Sequence, residues 1–258
     1  MTIRNKTLVI IVIIFIMLIV GLYFILGSVF QQGFIRIEDK EAHDNVKQVV
    51  NILSREIDIL DIFNRDWSSW DDTYTFIEDS NEEYIKSNLL NSTFIGGRLN
   101  LIIFINSSNQ IVFGKAFDLE EEREIAIPVD LQKHLLSESL LTKPTDVDNS
   151  VKGIILLSKS PMLISSRPIL TSEDGGPIRG ALIMGRYFDS TEIERLSQIS
   201  NLSIEIQKFN DPQAPLDFKK AFSILPEEPI FNQTLTDELI AGYALIRDIY
   251  GKPILVLR

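Results

Sequence analysis

The sequence predicts an α+β protein in which an N-terminal transmembrane helix leads into a long amphipathic helix and then into an antiparallel sheet flanked by helices. Three observations predict this class. Residues 8–30 carry no charged side chain, and residues 34–63 contain neither Gly nor Pro. The rest of the chain contains short β-rich segments separated by turn signals, with shorter helical segments between some of them.

The first element is the apolar segment 8–30. Its 23 residues span roughly 34 Å as a helix, which is enough to cross a bilayer core of about 30 Å. A cleaved signal peptide would have a shorter apolar core and a small-residue cleavage site, and the sequence offers neither. Because Arg4 and Lys6 precede the segment, the positive-inside rule predicts a cytoplasmic tail at 1–7, a single-pass anchor in the cell membrane and an extracytoplasmic remainder.

Charge and cysteine content exclude several function classes. The formal net charge is −11, and residues after the anchor carry 23 basic and 36 acidic side chains, a net charge of −13. This surface repels nucleic acid, so we expect no nucleic-acid partner. Cysteine is absent, which excludes disulfides, thiolate metal sites and cysteine nucleophiles.

The second element is the membrane-proximal helix, predicted at 31–65. Five apolar residues recur along it at alternating spacings of four and three, namely Val46, Val50, Leu53, Ile57 and Leu60. The stripe has two interpretations. It could pair two copies as a short coiled coil and so form a homodimer, or it could pack the helix onto its own domain.

The third element is the extracytoplasmic domain, predicted at 66–258. Short helices are expected at 80–88, 130–138 and 190–200, the last capped by Asp189 or Ser190. Strands are expected at 99–105, 110–117, 153–158, 162–170, 180–188 and 202–209, followed by a hairpin formed by 238–248 and 253–258. The proline-rich segment 211–229 reads as a loop. By fold-level analogy, this layout is that of a PAS-like sensor sheet.

Enzyme signatures are not found in the sequence. The two histidines, His43 and His134, lie in different elements, and each is expected to be a solvated surface residue. Asp146-Val147-Asp148-Asn149 resembles the start of a calcium loop, but the Gly and Glu required later in such a loop are missing. We therefore expect no catalytic residue, no metal site and no cofactor.

Candidate ligand contacts come from the segment DWSSWDDTYTFIED, residues 66–79. If the segment is one helix, Trp67, Trp70 and Tyr74 share a face with Asp71 close by, and this face could hold a cation or an amine. The same aromatic side chains could instead close the core where the long helix meets the sheet. Arg167 and Arg186 could bind a carboxylate ligand or pair with acidic residues of the chain.

The same segment carries a family resemblance. The pattern D-W-x-x-W-D-D-T-Y-x-F, followed by Tyr84 and Asn88, resembles the type-four CHASE domain. Further similarities are Gly185-Arg186 at a strand end and the closing run from Arg247 to Pro253 that leads into LVLR. The resemblance covers about residues 40–258. It implies an external PAS-like module that senses signals for membrane histidine kinases and nucleotide cyclases.

The sequence therefore predicts a membrane-anchored extracytoplasmic domain that binds an unidentified small molecule as the sensor of a signal-transduction receptor. Kinase and cyclase motifs are absent from the chain, so we expect a receptor truncated before its second membrane helix and output domain, with no catalysis of its own. Two alternatives remain open. One is a structural or scaffold membrane protein that pairs through its long helix, and the other is an anchored hydrolase that uses Asp71 and Asp72.

Overall fold

The computed structural model describes residues 3–136, 139–142, 146, 150–236 and 239–258, and it describes no side chains at 4–12 and 27–36. The segment that resembles a calcium loop therefore lies outside the described residues except for Asp146. Over the described part of the chain, no helix combines the length and the apolar character needed to cross a membrane.

One long helix, α1, runs without interruption from Ile3 to Ser68. Its 66 residues give it a length of roughly 100 Å. The large apolar side chains between Ile13 and Leu26 are exposed, whereas those from Val46 onward alternate between buried and exposed. The amphipathic half of α1 is therefore continuous with the apolar segment.

The apolar stripe on α1 packs against its own chain. Val46, Leu53 and Leu60 are buried, and Val50 and Ile57 are partly buried against the same core. Because the buried side chains of the stripe pack in the chain's own core, the structure does not support pairing through them, and homodimer formation through the stripe stays a prediction. The interpretation in which the helix packs onto its own domain is confirmed.

The first sheet contains six antiparallel strands in the order β3-β2-β1-β6-β5-β4. Three short helices connect α1 to it: α2 at Asp71–Asp79, α3 at Glu82–Asn88 and α4 at Asn91–Gly97. The strands are β1 at Leu101–Asn106, β2 at Ile111–Asp118, β3 at Arg123–Ile125, β4 at Val151–Leu156, β5 at Pro161–Pro168 and β6 at Gly180–Tyr187. Because β1 and β6 lie at the centre, both of their faces are buried. One face packs against α1 and the short helices, and the other packs against residues that include Leu131 and Leu141.

A second sheet follows, with four antiparallel strands in the order β7-β10-β9-β8. Helix α5, Ser190–Ser200, leads into it, and helix α6, Leu216–Ile224, covers one face. Its strands are β7 at Ile206–Lys208, β8 at Ile230–Thr236, β9 at Leu239–Arg247 and β10 at Pro253–Leu257. The prediction of a single sheet is therefore wrong, and so is the prediction of a loop at 211–229. Proline flanks α6 without interrupting it, since Pro215 is its N-cap residue.

Both sheets pack against α1. At the second sheet, a Cβ on Gly242 of β9 would lie 2.2 Å from a methyl group of Val46, so only glycine lets the strand approach the helix this closely. The sheets also touch each other directly. The backbone N–H of Ile249, in the turn after β9, donates to the carbonyl of Ile154 in β4 over 3.1 Å.

His134 is buried at this same junction, which contradicts the expectation of a solvated residue. It ends a 3₁₀ helix, Val129–His134, where an α-helix was predicted at 130–138; residues 137 and 138 lie outside the described residues. The imidazole stacks on the ring of Tyr250, and its Nδ1 lies 3.0 Å from the Tyr250 hydroxyl. The residue is only 7% exposed.

Candidate functional site

The segment 66–79 is not a single helix. Helix α1 ends at Ser68, Ser69 forms a bridge with Leu170, and Trp70 is an extended residue that precedes α2. The indoles of Trp67 and Trp70 still meet edge to face, with ring centroids 6.3 Å apart. The ring centroids of Trp70 and Tyr84 are 6.0 Å apart. Both tryptophans are half-buried against the first sheet's core.

Asp71 holds a loop of its own chain. Its carboxylate accepts a hydrogen bond from the backbone N–H of Ser172 over 3.0 Å, and its own N–H donates to the Ser172 hydroxyl over 3.0 Å. Close by, Asp174 accepts hydrogen bonds from Ser69 at 2.6 Å and from Arg65 at 2.8 Å. These two bonds hold the pKa of the Asp174 carboxyl below its usual value.

Tyr74 contacts the same loop of the chain as Asp71 does. Its hydroxyl donates to the carbonyl of Pro177 over 3.1 Å, and the Arg179 guanidinium lies 3.7 Å from the centre of its ring. Gly176 has a φ of +84°, and a Cβ there would lie 2.7 Å from the Tyr74 hydroxyl. We call residues 65–74 together with loop 171–179 the helix-end latch, because they fasten the end of α1 to the loop between β5 and β6.

Arg167 pairs with an acidic residue of its own chain. Its Nε and Nη2 donate to the two carboxylate oxygens of Asp61 on α1, over 2.9 and 2.6 Å. Ser165, Ser150 and Lys152 also contact this carboxylate. Burial raises the pKa of Asp61, but the bonds from Arg167 and Ser165 outweigh that effect and hold it below its usual value. We call this contact between α1 and β4–β5 the aspartate clamp.

Arg186 lies in a separate group of five charged residues, which we call the ion cluster. Its members come from α1, from the residue that follows α4, from β6 and from α5, and they are Glu56, Arg98, Arg186, Glu192 and Arg195.

Within the ion cluster, Arg186 is held entirely by the protein. Its Nε donates to the carbonyl of Arg98 over 2.8 Å, its Nη2 to the carbonyl of Gly97 over 3.1 Å and its Nη1 to Glu56 over 3.3 Å. Burial, together with the neighbouring Arg98 charge, lowers the pKa of Arg186 to about 10. Three of the five N–H donors of this guanidinium are therefore engaged by the protein.

The ion cluster forms part of a cleft of about 620 Å³. The cleft lies between α5 and the ends of β2 and β6, and the residues that line it include Arg98, Asp118, Lys159, Glu192 and Arg195. Its volume falls in the range of small-molecule sites, about 300–1,000 Å³. By contrast, the cavity at the helix-end latch, lined by Arg65, Arg167 and Asp174 among others, is only about 140 Å³.

The structure therefore separates the six sequence-predicted site residues. Arg167 belongs to the aspartate clamp, and Arg186 lies at the cleft. The other four belong to the helix-end latch, namely Trp67, Trp70, Asp71 and Tyr74. Ligand contact by these six stays a prediction. The sequence analysis missed Glu56, Arg98, Glu192 and Arg195, which carry no motif. Among the described residues, no group of three His, Asp or Glu side chains could hold a metal ion.

Known proteins share both the sequence pattern and the fold. Residues 52–207 match the CHASE4 domain. The chain is 27% identical over 227 residues to the methanogenesis regulatory histidine kinase FilI of Methanothrix harundinacea (strain 6Ac). The match covers 86% of this chain and 24% of FilI, so the chain spans about a quarter of that relative's length.

Two solved structures share the fold at 14% identity. The extracellular domain of histidine kinase vpHK1S-Z8 superposes with a TM-score of 0.56, covering 85% of this chain and 89% of that domain. A domain of a sensory box/GGDEF family protein from Vibrio parahaemolyticus superposes with a TM-score of 0.58, covering 85% and 94%. The resemblance inferred from residues 66–79 is confirmed: the chain belongs to the CHASE4 family and is homologous to the sensor of a histidine kinase.

Proposed function

We propose that this chain is the extracytoplasmic small-molecule sensor of a membrane receptor of the histidine kinase type, and that ligand binding moves α1 relative to the membrane. The observation that carries the proposal is the continuity of α1. A single helix contains the apolar segment, packs against both sheets and contributes a buried carboxylate to the ion cluster and another to the aspartate clamp.

The membrane anchor is residues 8–30. Their uncharged sequence supports this assignment, and so does the exposure of the described side chains from Ile13 to Leu26, which pack on neither sheet. Exposed apolar surface of this extent is unfavourable in water and favourable in lipid. Arg4 and Lys6 orient the anchor so that the sheets are extracytoplasmic.

Signal transmission requires the ligand to prefer one position of α1. A ligand that binds two conformations equally shifts neither, however tightly it binds. Sites that contain α1 side chains meet this requirement directly, because moving the helix changes the site itself. The ion cluster is such a site, since Glu56 of α1 shares its arginines with Glu192 of α5.

Phosphotransfer in this proposal belongs to another part of the receptor. FilI is a histidine kinase, and the region similar to this chain is about a quarter of it. The present chain supplies the sensor, and its helix α1 connects the sensor to the membrane. Ligand contacts by Trp67, Trp70, Asp71 and Tyr74 remain a secondary proposal, because Asp71 and Tyr74 already hold loop 171–179.

Site-specific labelling of the full chain in lipid nanodiscs tests this function. The chain has no cysteine, so Lys47→Cys on α1 and Lys219→Cys on α6, both exposed, give a unique pair of spin-label sites. We expect a metabolite that raises the melting temperature to change the distance between the two labels also. Matched labels at Lys219 and Ser223, both on α6, should show no change.

A stabilising ligand that leaves the Lys47–Lys219 distance unchanged would contradict transmission through α1. A library of small metabolites in which no compound raises the melting temperature would contradict the small-molecule sensor itself.

A further inference from the structure

The ion cluster is not electrically balanced. Three guanidinium groups share two carboxylates, which leaves one positive charge. The centre of the cluster is buried, since the side chains of Glu56, Arg186 and Glu192 are 9%, 6% and 8% exposed. The side chains of Arg98 and Arg195 are 40% and 26% exposed and lie at the cleft. A partly desolvated positive charge without a counter-ion is unfavourable, and an anion bound beside it reduces that cost.

The unused hydrogen-bond donors belong to Arg98 and Arg195. Arg98 binds Glu192 through Nη2 alone, over 2.8 and 2.7 Å. Arg195 uses Nε and Nη2 on Glu192, and its Nη2 also lies 2.5 Å from Glu56. Within the described part of the chain, Arg98 Nε and Nη1 and Arg195 Nη1 have no hydrogen-bond acceptor. Both side chains line the cleft and are partly exposed.

Most acidic groups around the cleft already have partners. Asp118 accepts the backbone N–H groups of Glu120 and Glu121 and lies 3.8 Å from Lys159. Glu120 accepts the Thr191 hydroxyl, and Asp189 caps α5. These three carboxylates are satisfied by the protein, whereas Glu194, which also lines the cleft, is exposed to solvent. The two arginines still offer donors to a ligand.

We infer that the cleft is a binding site for a small oxyanion, a carboxylate or a phosphate, held by the free N–H donors of Arg98 (Nε and Nη1) and Arg195 (Nη1). Guanidinium N–H groups form charge-assisted hydrogen bonds with the oxygens of both groups. This inference deepens the proposed sensor function by naming a ligand class, but the binding step does not depend on signalling.

An anion at this site changes how α1 is held. Arg195 and Arg98 now neutralise Glu56 and Glu192 together, and an anion adds a third negative group to the same arginines. The attraction between Arg195 and Glu56 then weakens relative to its attraction to the ligand. Occupancy thereby loosens one of the attachments of α1 and leaves the aspartate clamp in place.

The test measures the melting temperature of the full chain in detergent micelles with inorganic phosphate or succinate, against sodium chloride at equal ionic strength. We expect one or both oxyanions to stabilise the wild type beyond the chloride control. Arg98→Gln removes the surplus charge and two free donors, so its apparent affinity should fall by about tenfold to a hundredfold. Lys86→Gln, an exposed change of equal charge on α3, should bind as the wild type does.

A second variant should increase the stabilisation by oxyanions, where Arg98→Gln should reduce it. Glu192→Gln removes one carboxylate, so the site gains a second surplus positive charge and oxyanions should stabilise this variant more than the wild type. It also keeps the inference testable if Arg98→Gln fails to fold. Comparing phosphate with succinate shows which oxyanion the site prefers.

The inference is overturned if phosphate and succinate act no differently from chloride, or if Arg98→Gln and Lys86→Gln respond alike. In either case another metabolite could still change the distance between the labels on α1 and α6. The failure of this site would therefore be distinguishable from the failure of the sensor function.

Discussion

Two buried charged contacts hold α1 against the first sheet, and they differ in charge balance. In the aspartate clamp, Asp61 and Asp58 face Arg167 and Lys152, so the charges cancel, and Asp61 is saturated with partners. In the ion cluster, the charges do not cancel and two arginines face a cleft. Only five positions separate Asp61 from Glu56 on the same helix. This difference is the basis of our proposal that the aspartate clamp is fixed and that a ligand changes the ion cluster.

Asp61→Asn should cause the largest loss of stability. Removing one partner of a buried ion pair leaves the other charge uncompensated, and we expect a loss of about 3 kcal/mol in the free energy of unfolding. Urea titration of the full chain followed by circular dichroism measures it. Asp58→Asn, which breaks a pair whose side chains are 40% and 50% exposed, should cost less than about 1 kcal/mol. Equal losses would show that the clamp has no special role.

Glu56→Gln should cost less, about 2 kcal/mol, because Glu192 still neutralises part of the arginine charge. The exposed control Glu83→Gln on α3 should stay within about 0.5 kcal/mol of the wild type. Urea titration followed by circular dichroism again measures the free energy of unfolding of both variants. A loss at Glu56 larger than that at Asp61 would reverse the proposed order of the two contacts.

The helix-end latch should show a smaller effect through Gly176→Ala. Alanine at a φ of +84°, with its Cβ 2.7 Å from the Tyr74 hydroxyl, should cost about 1–2 kcal/mol. Gly175→Ala is the matched control, since a Cβ there makes only an ordinary contact at 3.5 Å. If both variants melt at the same temperature, the latch tolerates displacement of Tyr74 and does not hold the end of α1.

The smallest effect should be a pH dependence at the junction of the two sheets. Burial lowers the pKa of His134, an effect that Lys133 reinforces and Asp248 and Asp130 oppose. The unfolded chain therefore binds a proton more readily than the folded one. Stability should fall as the pH drops below about 6.5, the ordinary histidine value. His134→Phe should reduce this slope between pH 7 and 5, whereas the exposed variant His43→Gln should retain it.

The sequence analysis succeeded where the signals are local. The hairpin of β1 and β2 and the Asp189 cap of α5 follow from short patterns, and the structure confirms them. Helix α3 also follows from a short pattern, although its N-cap is Asn81 and not Ser80. The family resemblance followed from residues 66–79 in the same way. Such features depend on residues that are neighbours along the chain.

The remaining features depend on contacts between distant positions. Asp61 and Arg167 are 106 positions apart, and Glu56 and Arg186 are 130 positions apart, so no periodicity relates them. The break after Ser68 was also missed, because it depends on a bridge between Ser69 and Leu170 that only the folded loop provides. Helix α6 was missed because the prolines around it are loop signals when read without the sheet it covers.

The central claim, that one contact of α1 responds to ligand and the other is fixed, is tested most directly by one double comparison. The melting-temperature increase caused by inorganic phosphate, relative to chloride at equal ionic strength, would be measured for the wild-type chain, Glu56→Gln and Asp61→Asn. The account predicts a larger increase for Glu56→Gln than for the wild type, and an unchanged increase for Asp61→Asn. Equal increases in all three proteins would contradict it.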